Sequence, residues 1–355
     1  MMLKKSFIFV PVICVLLLLG ACEGNEKSSG DKDSYDKLTM YTTLPEENAE
    51  AYIKEFQKDT GIEVRYTRLS TGEILSKLES QKGHNDASIW FAGPSDSFII
   101  ADEKGLLEEY DPEVLGNYDE IYENALIEDA NWLPIYQGPI AFASNEDWLE
   151  ENGIEAPTSW DDLLKPEFKD QIMLAHPAAS GTGYTFVSAL VQMMGEDEAF
   201  DYLKEFNKNV KQWTKSGSSN AQFIGIGEVG VGLAFAQDLL PVKEQGYNIK
   251  LTYPEDGVPV AVEGVAKIKG GPEKENENAK EFMKWINSDE GQNVYANTGF
   301  YHLPVIPDAK LPEGAPNLSE LNVADTDDVW GSKHREEIVN RFEKEVESED
   351  KASDK

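Results

Sequence analysis

From Leu38 to Glu108 the chain alternates short apolar runs with stretches whose apolar residues recur every three or four positions. No other feature restricts the fold as much. Leu38–Thr42, Ile62–Arg68 and Ala87–Phe91 read as strands. Glu46–Asp59 reads as a helix with Ala49, Ile53 and Phe56 on one face and Gly61 past its end. Glu73–Gln81, carrying Ile74 and Leu78, and Phe98–Glu108 read as the next two helices. Strand and helix in strict alternation with short loops predict an α/β fold with a parallel sheet covered on both faces. Ligands of such sheets sit beyond the carboxyl ends of the strands. The loops there are Thr42-Thr43, Ser70-Thr71-Gly72 and Gly93-Pro94-Ser95, without a His, a Cys or an Asp pair. Each alone is ordinary turn chemistry. Three at one end of one sheet predict a polar rim for a small hydrogen-bonding ligand.

The later part of the chain has its own focus, Met173 to Met194. A buried strand over Ile172-Met173-Leu174 turns through His176-Pro177 into Ser180-Gly181-Thr182-Gly183, and a helix with Phe186, Leu190 and Met193 or Met194 on one face follows. Ser180 stands where an N-cap is expected, and the glycines allow close approach to the backbone. A helix start offers unpaired N–H groups and the positive end of the dipole, which suits an anion. Read alone, the four residues are equally a capped helix start.

Around this stretch, Leu133–Ser144 and Val258–Lys269, the latter carrying Glu263-Gly264, read as strands crossing between two lobes. Gly230–Ala236 reads as a buried strand ending at Gln237-Asp238. Helices are expected over Glu196–Asn207, over Asn278–Ser288 and near Glu336–Val346, where Ile338, Phe342 and Val346 form a packing stripe. The roughly 310 residues past the N-terminal region exceed what one small core holds, so two lobes are the default.

The N-terminus reads as a secretion leader. Lys4 and Lys5 precede an apolar run from Phe7 to Leu19, shorter than the ~20 residues of a membrane span, and Leu19-Gly20-Ala21-Cys22 looks like a lipobox. Residues 1–21 are therefore expected to be removed and Cys22 to carry lipid, palmitate included, anchoring the protein on an outward-facing membrane surface, extracellular or periplasmic. Residues 22–37 are almost devoid of apolar side chains and read as a flexible tether. The other cysteine, Cys14, lies in the leader, which leaves the mature domain no disulfide, thiol nucleophile or cysteine metal site. The formal charge of −34 excludes nucleic acid as a partner, since phosphate backbones demand basic patches. Neither HExxH, GxSxG nor GxxxxGK[ST] occurs, and the four histidines are scattered. The chain is expected to be no enzyme, and no cofactor is implied.

Several segments together resemble the extracellular solute-binding proteins of ABC importers, in the periplasmic-binding-protein type II class. They are Gly138-Pro139-Ile140-Ala141-Phe142, the run from Pro157 to Leu164 (PTSWDDLL), His176 to Tyr184, Lys215-Ser216-Gly217-Ser218, and Thr298 to Val305. The nearest group holds ferric-ion, phosphonate and sugar-phosphate binders. The resemblance implies two doubly wound α/β lobes joined by crossing strands, a ligand cleft between them, a membrane permease as partner, and a monomer. The expected division is 38–137 plus 262–310 for lobe 1 and 138–261 plus 311–348 for lobe 2.

Within that group chemistry favours an organic phosphate. Ferric binders use adjacent tyrosines because Fe³⁺ wants anionic oxygens, and no Tyr-Tyr occurs in this chain; the corresponding place reads Phe235-Ala236-Gln237-Asp238. Neutral donors converge instead: Thr42, Thr43 and Ser70 from lobe 1, and Ser180, Gly181, Thr182, Ser216 and Ser218 from lobe 2. Asp238 and Glu263 are acceptors for sugar hydroxyls or an ammonium, and Lys215 could add a charge or face solvent. The expected ligand is a small anionic solute, a sugar phosphate or a phosphonate. The alternatives are a ferric ion, and a sensory subunit presenting its ligand to a receptor kinase.

Overall fold

A computed structural model describes residues 36–111, 114, 130–305 and 310–347. The expected leader, Cys22 and nearly all of the tether lie outside the described residues. The first strand, β1 (Lys37–Thr42), begins at the tether's last residue. It is followed by α1 (Glu46–Thr60), β2 (Glu63–Arg68), α2 (Thr71–Ser80), β3 (Ile89–Pro94) and α3 (Ser95–Glu103). Glu46 and Glu47 in the first turn of α1 and Lys58 in its last complement the helix dipole, and Gly61, at φ 77°, ends it. Strand β1 pairs in parallel with both β2 and β3, as the alternation predicts.

One boundary moves. The third helix starts at Ser95, directly after Pro94, and stops at Glu103 rather than running from Phe98 to Glu108. Proline fixes the extended entry, and Gly105 at φ 64° turns the chain away, so the apolar pair Leu106-Leu107 is core at the end of a turn.

Next come β4 (Leu133–Asn145), α4 (Glu146–Asn152), β5 (Ile172–Ala175), α5 (Gly181–Met194), α6 (Glu196–Asn207) and β6 (Val210–Thr214). After them run α7 (Asn220–Gly225), β7 (Val231–Phe235), α8 (Ala236–Glu244), β8 (Ile249–Thr252), β9 (Val260–Lys267) and α9 (Asn276–Ile286). The short helices α10 (Asp289–Gln292) and α11 (Val294–Thr298), the strand β10 (Leu303–Pro304) and α12 (Asp328–Phe342) complete the described elements. Strand order along the sheet is β2-β1-β3-β9-β4-β7-β5-β6.

Strands β4 and β9 make the fold one molecule. The first half of β4 pairs antiparallel with β9 (Leu133 opposite Val265, Pro139 opposite Val260), and its second half with β7 (Ile140 opposite Phe235). Strand β9 also pairs with β3, so β4 and β9 join the β1–β3 half to the β5–β7 half. Each half has its own core: Phe56, Phe91, Phe282 and Trp285 among others in one, Phe142, Trp160, Phe186 and Phe206 in the other. The expected stripe Ile338, Phe342 and Val346 packs into the second core. Side chains alternate across a strand, so β3, buried on both faces, reads as a nearly continuous apolar run, while β1 keeps the partly exposed Lys37 and Thr39 on one face. The result is the α/β architecture of two lobes with crossing strands.

Candidate ligand cleft

Where the carboxyl ends of β1, β2 and β3 face the turns after β5 and β6, a cavity of about 50 Å³ opens. Nine of the ten expected ligand residues line it: Thr43, Ser70, Ser180, Gly181, Thr182, Ser216, Ser218, Asp238 and Glu263. Thr42 does not. It is fully buried, and its hydroxyl accepts the Leu44 N–H at 3.2 Å, fixing the loop instead of facing the ligand. Lys215 is exposed and is not part of the lining.

The first turn of α5 forms one wall. Ser180 has the extended backbone of an N-cap, φ −128° and ψ 139°, yet its side chain makes no capping hydrogen bond. That hydroxyl and the free N–H groups of the turn are therefore available together. The glycines serve close packing: a Cβ on Gly181 would lie 2.2 Å from Pro94 Cγ, and one on Gly217 2.1 Å from Thr182 Oγ1. The serine that does cap is Ser70. It accepts the Glu73 N–H while Glu73 Oε2 accepts from the Ser70 N–H at 2.8 Å and from its hydroxyl at 2.7 Å, a complete capping box. Ser70 lines the cavity, but its proton is committed to Glu73, so its expected role as a donor is weakened.

Arg68, which the sequence shows only as the last residue of a strand, spans the cleft. Its Nε donates to Leu44 O at 2.9 Å, and Nη2 to Ser216 Oγ at 3.1 Å and Ser218 Oγ at 2.9 Å. These acceptors are all neutral oxygens, so the guanidinium keeps its charge for a ligand. The Gly72 N–H donates to Ala179 O at 3.3 Å beside it, a second contact between the two sides.

Part of the cavity wall is acidic and largely buried. Glu263 Oε2 accepts the Gly93 N–H at 2.7 Å and the Tyr136 hydroxyl at 3.2 Å. Burial pushes Glu263 up to about 7, with the Asp96 charge adding to it against those two hydrogen bonds. Asp238 keeps part of its surface open yet is crowded by the cleft walls; desolvation and then the Glu263 charge push it up to about 7 against the pull of Arg68. Burial and the Glu263 charge hold the Tyr136 phenol well above its ordinary value. His302, its ring tilted at 54° with its centroid 4.1 Å from that of Tyr136, is pushed by burial down to about 3 and so is neutral. Its Nδ1 is buried without a hydrogen-bond partner among the described residues.

Arg68, Gln237, Tyr136 and His302 are lining residues the sequence reading missed. A signal existed for two of them: Arg68 ends a strand, and Gln237 adjoins Asp238 after another. Tyr136 and His302 come from β4 and from the turn before β10, whose meeting no local pattern reveals. His176, by contrast, is a packed turn residue, with Nδ1 accepting the Ala178 N–H and Nε2 3.1 Å from the Glu347 carboxylate. Among the described residues no group of three or more His, Cys, Asp or Glu side chains is placed to hold a metal ion.

The arrangement is a polar slot that combines hydroxyl, guanidinium and N–H donors with two acids held partly protonated near neutral pH. Comparison with known proteins identifies the family. The family model described as bacterial extracellular solute-binding protein matches residues 96–330. The structure of AfuA, a periplasmic binding protein from Actinobacillus pleuropneumoniae with exogenous fructose-6-phosphate bound, superposes with a TM-score of 0.82 at 31% identity, covering 88% of this chain and 98% of that one. A Fe(3+)-binding periplasmic protein of Serratia marcescens is 25% identical over 86% of this chain and 88% of its own length. A putative 2-aminoethylphosphonate-binding periplasmic protein of Salmonella typhimurium is 26% identical over 67% and 68%. The chain belongs to the bacterial extracellular solute-binding proteins, in the type II class of periplasmic binding proteins that serve ABC importers.

Proposed function

We propose that the solute captured for the importer is a small organic phosphate, a sugar phosphate or a phosphonate. The observation that carries this is the first turn of α5: a serine hydroxyl not spent on its own helix, next to free N–H groups and beside the Ser216–Ser218 loop, to which Arg68 donates from the end of β2. Such a set of donors matches a tetrahedral dianion, which accepts from several directions at once. Asp238 and Glu263, protonated in part near neutral pH, can donate to or accept from hydroxyls at the other end of the same molecule. The chain has no catalytic task in this reading. It is held at the outer membrane face by lipid on Cys22, and residues 38–137 plus 262–310 close as one lobe on 138–261 plus 311–348. Bridging favours the closed form because only that form makes both sets of contacts.

The ferric reading draws support from the Serratia relative, but the chemistry here opposes it. Fe³⁺ needs anionic oxygens, and the Tyr136 phenol in this cavity is driven toward its protonated form. A sensory subunit would use the same cleft, and its genes would adjoin a receptor kinase rather than a permease and an ATPase.

The test is thermal unfolding with inorganic phosphate, hexose phosphates, glycerol phosphates, 2-aminoethylphosphonate and ferric citrate added separately. At a hundred times its dissociation constant a ligand stabilises by about 2.7 kcal/mol, a rise of roughly 4 °C for a domain of this size. A rise with an organic phosphate that disappears in Thr182→Ala supports the proposal. A rise with ferric citrate alone overturns it.

A further inference from the structure

The cleft does not end at the phosphate-sized cavity. Through Arg68, Ser218, Gln237 and Asp238, which line both spaces, it opens into an outer chamber of about 410 Å³ between the start of α1 and the helices α7 and α8. At about 30 Å³ of liquid per water, that is room for on the order of ten waters. Two amide side chains line this chamber while being almost wholly removed from solvent, Asn48 at 5% exposure and Gln237 at 3%. Gln237 Oε1 is buried without a hydrogen-bond partner among the described residues. Its amide packs on Gly138 of β4, where a Cβ would come 2.1 Å from Oε1, so it is held in place between that strand and the chamber. Buried amides left unsatisfied are costly, and a hydroxyl, donor and acceptor at once, answers both ends of an amide. The remaining polar wall includes Glu46, Glu47 and Asp238, with Arg68 at the junction.

Building on the phosphate reading, we propose that this chamber is a second subsite, which takes the uncharged, hydroxyl-bearing distal part of a phosphate ester and reads it through Asn48 and Gln237. The ligand class is thereby narrowed to sugar or polyol monophosphates long enough to leave the inner cavity. The acids of the outer wall reject a second phosphate by like-charge repulsion.

The experiment is calorimetric titration of the full-length protein with methyl phosphate, glucose 6-phosphate and glucose 1,6-bisphosphate. Glucose 6-phosphate binds more tightly than the other two. In Asn48→Ala its affinity falls roughly five- to tenfold, the equivalent of one neutral hydrogen bond, while methyl phosphate is unchanged. Gln245→Trp alters an exposed chamber residue and should give the same split by filling the space. Equal losses for methyl phosphate and glucose 6-phosphate, or no loss for either, overturn the subsite and leave the phosphate reading standing. If none of the three binds, the phosphate reading has failed and this inference falls with it.

Discussion

Glu263 is partly protonated near neutral pH because it is buried, and Asp238 because it is desolvated and partly because Glu263 is there. In the unfolded chain both carboxyls titrate near 4; in the fold both titrate at about 7. Between those values the native state binds more protons than the unfolded one, so stability falls as pH rises across that window and stays low above it. The ligand-free protein should therefore melt at a lower temperature at about pH 8 than at about pH 5. Glu263→Gln and Asp238→Asn should each flatten the decline, and calorimetric scans giving three identical slopes would remove the two acids as its source. Arg68 acts at the same scale. It is exposed and its contacts are neutral, so Arg68→Ala should cost little stability but weaken a phosphate ester by about tenfold or more, the value of one charge-assisted bond at an open site. Arg68→Lys keeps the charge and loses the fork. If titration shows the lysine variant binding as tightly as the parent, bidentate geometry is not what Arg68 supplies.

Helix α5 shows how an element can be kept from satisfying itself. A serine at an N-cap ordinarily bonds its own helix, and replacing it by alanine costs about 1 kcal/mol. Ser180 makes no such bond, so Ser180→Ala should leave urea stability within about 0.5 kcal/mol while phosphate-ester binding drops. Ser70→Ala should do the reverse, losing stability with the capping box of α2. A stability loss in Ser180→Ala as large as that in Ser70→Ala would show that Ser180 is a structural cap after all. The contrast also marks what the sequence could tell. Period and punctuation located the elements, because local spacing and breakers decide them. Which serine caps and which faces a ligand was not legible, since Ser70 and Ser180 both precede helices and only the Glu three residues after Ser70 differs. Tyr136, Gln237 and His302 reach the cavity through pairings between segments distant in sequence, Ile140 opposite Phe235 and Tyr136 opposite Pro304, where local pattern has no information.

Helix α12 determines how the two halves of the molecule meet away from the cleft. Its stripe of Ile338 and Phe342 belongs to the core around α5 and α6, but its other end fastens to α3. Ser95 donates to Asp328, and Arg335 pairs with Asp96 in the first turn of α3. The Arg335 guanidinium also lies 4.2 Å from the centroid of the Tyr184 ring on α5 and donates to Pro177 O at 3.4 Å. One arginine therefore touches elements from both halves. Burial raises Asp96, with Arg335 pulling the other way, and pushes Asp328 up to about 6. Removing one partner of a buried pair strands the other, at a cost of about 3–5 kcal/mol, so Arg335→Met should be strongly destabilising. Adding Asp96→Asn should recover most of the loss, because the stranded charge is gone. The sign of the pH effect follows. Without Arg335 the raised Asp96 takes a proton more readily, so the loss in Arg335→Met should be larger at about pH 8 than at about pH 5. Urea unfolding of the two variants at both values checks this. If the single and double variants lose the same stability at each pH, what Arg335 contributes is its stacking on Tyr184 rather than its charge, and α12 joins the halves by packing alone.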